Sequence, residues 1–209
     1  MNSSHVVAFV AGAALCAAAM PWAAPAAATQ QEPPQMSEEM KKMFEQARQF
    51  TEPSEAHQKL ADYLGTWDCE WKTAMGPGPM STVGKSKAVT SWLIEGRFTM
   101  TELSGTFMEQ PFKAFGIAGY DNFKKAYVRT TIDGMNTFML SAQGKLAQDG
   151  KTMIYYGTMD EYLTGENDKM VKYVLRWKDA DHFVEEVHDL AIGEENTKVM
   201  ELAFSRAKP

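Results

Sequence analysis

The chain has 209 residues with a net charge of −6, 44% hydrophobic residues and 11% aromatic ones. That is enough apolar material for one large β domain or two small ones. An acidic chain without a basic stripe argues against nucleic acid and against an anionic membrane surface as partners.

The first 28 residues contain no Asp, Glu, Lys or Arg. Val6 to Met20 is an Ala-rich apolar run, followed by Pro21 and the small-residue stretch Ala26-Ala27-Ala28. This has the form of a secretory signal with cleavage after Ala28, although His5 stands where Lys or Arg is usual. The run is short for a bilayer span. An uncleaved membrane anchor is the alternative. Residues 1–28 are therefore expected to be a signal peptide, and the protein to be exported to a periplasmic or extracellular compartment, with no membrane association after cleavage. Of the two cysteines, Cys16 lies in this segment, which leaves Cys69 as a lone thiol in the mature chain.

Residues 29–54 read as a linker and a short amphipathic helix. Thr29 to Gln35 is rich in Gln and Pro. Ser37 is an N-cap candidate, with Met40, Met43, Phe44, Ala47 and Phe50 at helical spacing behind it. The stripe is expected to pack across one end of the following domain. Pro53 ends the helix, and Ser54 caps a second short one through Leu64, with Ala56, Leu60 and Leu64 on one side.

From Gly65 onward the pattern changes to period two. Trp67, Cys69 and Trp71 share one face of a strand, and Asp68, Glu70 and Lys72 the other. Cys69 then reads as a small core residue. Met75 to Met80 is a Gly/Pro loop. Strands follow at Lys87–Ile94, Arg97–Leu103, Lys113–Tyr120, Ala126–Ile132, Thr137–Leu146, Thr152–Glu161, Met170–Trp177, His182–Asp189 and Lys198–Ser205. Asp133-Gly134 and Asp149-Gly150 mark tight hairpins. Parallel pairing needs long crossovers, for which the chain has no room. A mostly β fold follows: a single antiparallel barrel of about eight to ten strands, closed so that no edge is left unpaired.

The Gly65-Thr66-Trp67 start, the Gly116-Ile117-Ala118-Gly119-Tyr120-Asp121 strand and the closing stretch Lys198 to Arg206 resemble the secreted bacterial family known as domain of unknown function 1579, over roughly Glu55 to Lys208. The resemblance implies a lipocalin-like (calycin-type) barrel over residues 55–209 and no established activity. It also implies a stack between Trp67 and a basic residue at the end of the barrel, for which Arg206 is the candidate: a structural pair closing the barrel.

Gly78 to Ser86 fails as a phosphate loop, because the glycine spacing is wrong and no helix follows. His182, Glu186 and His188 share a strand face, but six residues along a strand span roughly 20 Å, too far for one metal ion. No catalytic residue and no metal site is expected, and the chain carries no positive case for an enzyme. Strand parity directs Trp67, Trp71, Trp92, Phe98, Met100, Tyr120, Phe138, Tyr156, Tyr173 and Trp177 inward. Trp67 aside, these are the ligand-pocket candidates. Such a set lines a pocket for a small hydrophobic molecule or fills a core, and a barrel of this size permits either. The leading reading is non-catalytic binding of a small hydrophobic ligand, with no cofactor. The alternatives are a haem-dependent or other enzyme in the same cavity, and an interaction domain with a filled core.

Overall fold

The computed structural model describes residues 36–74, 79–161, 164–190 and 197–208. The expected signal segment, the Gln/Pro linker, Cys16 and most of the Gly/Pro loop lie outside the described residues. The chain divides into two units, Met1–Glu38 and Glu39–Pro209, and every strand belongs to the second.

Helix α1 (Glu38–Thr51) begins directly after Ser37 and ends before Pro53. A short helix α2 (Glu55–Gln58) continues as a 3₁₀ turn over Lys59–Tyr63. Ten strands follow among the described residues. They are β1 (Gly65–Thr73), β2 (Ser81–Ile94), β3 (Phe98–Phe107), β4 (Gln110–Asp121) and β5 (Ala126–Asp133). The second half comprises β6 (Leu140–Leu146), β7 (Thr152–Glu161), β8 (Glu166–Asp179), β9 (His182–Asp189) and β10 (Thr197–Arg206). Each strand pairs antiparallel with its sequence neighbour, and β10 returns to β1 to close the barrel. No cis peptide bond occurs among the described residues.

The closing seam aligns Trp67 with Arg206, Cys69 with Phe204 and Trp71 with Leu202. The Arg206 guanidinium carbon lies 4.2 Å from the centroid of the Trp67 ring. Its nitrogens donate to Leu64 O, Ala180 O and Asp181 Oδ1 at 2.9–3.0 Å, which ties the seam to the turn between β8 and β9. Gly65 makes this approach possible. It sits at φ +112°, and a Cβ there would come within 2.8 Å of Arg206 Nη1.

The end of the barrel at which β1 starts is plugged from within. Leu60 is fully buried, and Tyr63 meets the Trp177 and Phe183 rings edge-on at 4.7 and 5.8 Å. His57, 6% exposed, packs edge-on against Tyr120, while Tyr127 Oη donates to Ala56 O at 3.0 Å. The expectation that α1 would cover this end is corrected. No residue of α1 is buried, and Met40, Met43 and Phe44 stay exposed. Its C-terminal end engages the barrel, through the Phe50–Phe123 ring contact and the hydrogen bond from Asn122 Nδ2 to Glu52 O. Here the end of the barrel is already closed from within by side chains of the 55–63 segment.

His57 Nδ1 accepts the Ser54 backbone N–H at 2.9 Å, which requires a neutral ring. Burial lowers its pKa below the ordinary 6.5, and the nearby Arg97 charge works the same way against the opposing effect of its bonds to Ser54 and Tyr120. The unfolded chain therefore takes up a proton first. This site's contribution to stability is whole above the unfolded value and is lost as pH falls through the lowered folded one. Thermal unfolding should shift to lower temperature between about pH 7.5 and pH 5, and His57→Gln should flatten that fall. An equally steep fall in the variant would refute the assignment.

The two hairpin signals part company. Asp149 accepts the Lys151 and Thr152 amides at 2.8 Å, with Gly150 at φ +66°, and makes the tight β6–β7 turn expected of it. Asp133-Gly134 instead opens a six-residue loop, 134–139, before β6 starts at Leu140. The Asp133 carboxylate accepts the Met135 and Asn136 amides in the same Asx pattern, but the chain does not pair back until Leu140.

Candidate functional site

Strand alternation sends Trp67, Trp71 and Thr73 of β1 into the barrel, followed around the wall by Ala88 and Thr90 of β2 and Thr99, Thr101 and Leu103 of β3. The interior is hollow above the plug, enclosing a cavity of about 600 Å³. Its walls are mostly apolar and aromatic. It is floored by Tyr63, Trp67 and Phe183 and reaches toward the strand ends at Thr73, Asp133, Glu161 and Asp189. Small residues create the space: Ala88, Ala114, Gly116 and Ala142 stand where larger side chains would fill it. The β6 wall is drawn in closely as well, since a Cβ on Gly144 would meet Ile154 O at 2.0 Å.

One charged group crosses this apolar space. Arg129 of β5 reaches Glu185 of β9, with Nη2 donating to Oε1 at 2.6 Å. Between those strands lie β6, β7 and β8, and the guanidinium carbon sits 4.7 and 4.3 Å from the centroids of Tyr155 and Tyr173, cross-strand partners on β7 and β8. Burial disfavours the Arg129 charge, but attraction and hydrogen bonding from Glu185 outweigh it and hold the guanidinium firmly protonated. Burial pushes the Tyr155 phenol up to about 12 against the opposing pull of Arg129, and raises Tyr173 in the same way. The Tyr63 phenol is raised well above its ordinary value, again by burial first. Its hydroxyl is buried and meets no partner at normal hydrogen-bond geometry, with the Tyr155 phenol close beside it. The floor of the cavity thus offers neutral phenols and a self-neutralised ion pair.

At the open end, Lys169 pairs with Asp189 at 2.7 Å and with Glu166 at 3.5 Å. Apolar side chains ring the same end, with Met135, Met139 and Met170 all exposed.

The pocket candidates from the sequence divide into four groups. Trp71 and Tyr173 line the cavity, as does Trp67 of the closing pair. Trp92, Tyr120 and Trp177 pack with the core but do not line the cavity: Trp177 lies against the plug and Tyr120 against His57. Phe98, Met100 and Tyr156 are corrections, because they point outward. On β3 the inside is carried by Thr99, 2% exposed, and by Thr101, whose hydroxyl bonds that of Thr90 at 2.9 Å. Paired hydroxyls satisfy each other there, so at the start of β3 the more apolar face is the outer one, before Leu103 and Phe107 turn the inner face apolar. Phe98 covers Gly119 from outside, where a Cβ would lie 2.5 Å from its ring. Tyr156 is 47% exposed because Met153 and Tyr155 take the inward positions of β7. Phe138 falls in the 134–139 loop, outside any strand, and does not line the cavity.

Trp71 Nε1 donates to the buried Ser86 hydroxyl at 2.7 Å, which fixes its ring against Phe107 and Phe112. Cys69 is 3% exposed, and burial pushes its thiol up to about 12, so it stays protonated and unreactive. His182 and His188 lie outside the barrel, with His182 paired to Asp179 and His188 3.6 Å from Glu186. Among the described residues no group of three or more His, Cys, Asp or Glu could hold a metal ion, and no histidine lines the cavity. Nor, among them, is any helix long and apolar enough to cross a membrane.

Arg129, Glu185, Tyr155 and Tyr63 were not among the sequence candidates. One signal was available for Glu185: it alternates with Phe183 and Val187, a charge on the apolar parity of its strand. No comparable signal marks Arg129, since Val128, Thr130 and Ile132 make the opposite face of β5 look the more buried.

The family described as "Protein of unknown function (DUF1579)" matches residues 52–206. The chain belongs to this family. The DUF1579 match spans α2 and all ten described strands, so the barrel and its plug form the family unit, while α1 lies before it. Among solved structures, the chain is similar to Rv2717c from M. tuberculosis, at 12% identity and a TM-score of 0.55 over 74% of this chain and 99% of that one. That likeness concerns the fold alone. A redesigned beta barrel also matches, at 11% identity and a TM-score of 0.38 over 71% of this chain and 94% of that one. No curated protein matches.

Proposed function

We propose that this DUF1579 protein binds a small hydrophobic molecule inside its barrel, without catalysis. The observation that supports this is the cavity of about 600 Å³, lined mostly by apolar and aromatic side chains, with phenols and the Arg129–Glu185 pair at its floor and charged groups at its mouth. A filled core would have closed that space. An apolar body would leave water among Trp71, Phe107, Phe112 and Leu103, and a polar tip would reach the phenols beside Arg129. The haem-dependent alternative gains no comparable support, because no imidazole faces the cavity among the described residues. The compartment is part of the same proposal. The apolar run and Ala26–Ala28 favour export and cleavage, which fits a carrier of poorly soluble molecules.

Native mass spectrometry of protein purified from the exported fraction tests both parts. The mature chain is expected to begin at Thr29 and to carry a reproducible extra mass that leaves on denaturation. A bare chain that also fails to take up any apolar probe would overturn the binding reading. An intact Met1 in the exported fraction would overturn cleavage.

A further inference from the structure

We infer that Glu185 sets the charge class of what the barrel accepts: by neutralising Arg129 within the cavity, it selects lipophiles with an uncharged polar head and turns carboxylates away. The inference rests on the binding reading above and gives it a ligand class.

A lone buried guanidinium at the floor of an apolar cavity would be a trap for carboxylates, which it can hold with two parallel bonds. Here that position is already taken by Glu185 Oε1 at 2.6 Å. Two phenol rings lie within 5 Å of the guanidinium carbon and hold it in place. An incoming carboxylate would have to displace Glu185 or sit beside it as a second negative charge in a dry space. The open end adds to the selection. Asp133, Glu161 and Asp189 reach the cavity there against Lys169, which is itself held by Asp189. What remains at the floor to recognise a head group is the hydroxyls of Tyr155 and Tyr173, which both donate and accept, above the buried Tyr63 phenol. Burial keeps all three neutral. An alcohol, ketone, ester or amide matches them; an ionised acid does not. Glu185 is thus a specificity residue acting through Arg129.

Decan-1-ol and decanoate are suitable probes at pH 8, where they share one chain and differ in head charge. Trp67 and Trp71 line the cavity, so tryptophan fluorescence reads their binding. The wild-type protein should bind decanol at least ~10-fold more tightly than decanoate, the scale set by a buried charge left unmatched. Glu185→Gln frees the guanidinium and should reverse the order. Decanoate bound by the wild type as tightly as decanol overturns the inference whatever the variant does, and leaves the binding reading standing. A folded Glu185→Gln variant that still prefers decanol overturns it too. If neither probe binds and the purified chain is bare, the binding reading falls and takes the inference with it.

Discussion

Arg129→Met should lower the stability of the barrel by about 3–5 kcal/mol, the usual loss when one partner of a buried ion pair is removed. The Glu185 carboxylate would stay inside, 15% exposed, with its cation gone and only phenols nearby. Arg129→Met combined with Glu185→Leu should recover most of that loss. Replacing both charges by apolar groups of similar size removes the desolvation cost along with the attraction. Chemical denaturation of the four proteins in the cycle measures this directly. A single variant as stable as the wild type would mean that water reaches Glu185 freely, and the site would then be neither dry nor selective. The double variant also matters for function: a pair retained although an apolar replacement is equally stable is retained for what it does in the cavity.

Trp67→Ala is the second large expected effect, about 3–5 kcal/mol on the scale of aromatic truncations in cores. Trp67 is 1% exposed, and its Nε1 donates to Tyr63 O at 2.9 Å. Its ring packs edge-on against Phe183 at 4.9 Å and carries Arg206 on its face. Truncation would remove the joint between the plug and the closing seam. Arg206→Ala should cost clearly less, because that side chain is 37% exposed and its ion pair with Asp181 is screened by solvent. The ratio of the two losses is the informative quantity. Equal losses would assign the joint to the arginine's bonds and not to the indole.

The fold was legible because its code is local. Trp67-Cys69-Trp71 alternates over β1, the strand runs are short and evenly spaced, and Asp149-Gly150 makes the turn it signals. The Trp67–Arg206 pair was legible by another route: the family resemblance implied the stack, and closure of the meander made the first and last strands neighbours. The cavity was far less so. Hydrophobicity locates the inner face of a strand only when inside residues are apolar, and β3 reverses this with Thr99 and Thr101 inside and Phe98 and Met100 outside. Tyr155 and Tyr156 are chemically identical neighbours on opposite faces, and only the depth of Met153 in the core decides between them. Arg129 escaped because its partner is 56 residues away on a strand across the barrel. No local pattern announces a contact of that kind.

The β1–β10 seam has a consequence for how the chain folds. Every other ladder joins strands adjacent in sequence and can zip up as a hairpin, but this one must bring the two ends of the domain together. Until it does, the protein is an open sheet with two bare edges at which another molecule could add a strand. Asp68, Glu70 and Lys72 on one edge and Glu201 on the other place charges along those edges, where a stray strand would have to settle beside them. In the closed barrel Lys72 and Glu201 face each other at 3.8 Å. The residues that guard the unfinished edge become a matched pair once the right partner arrives.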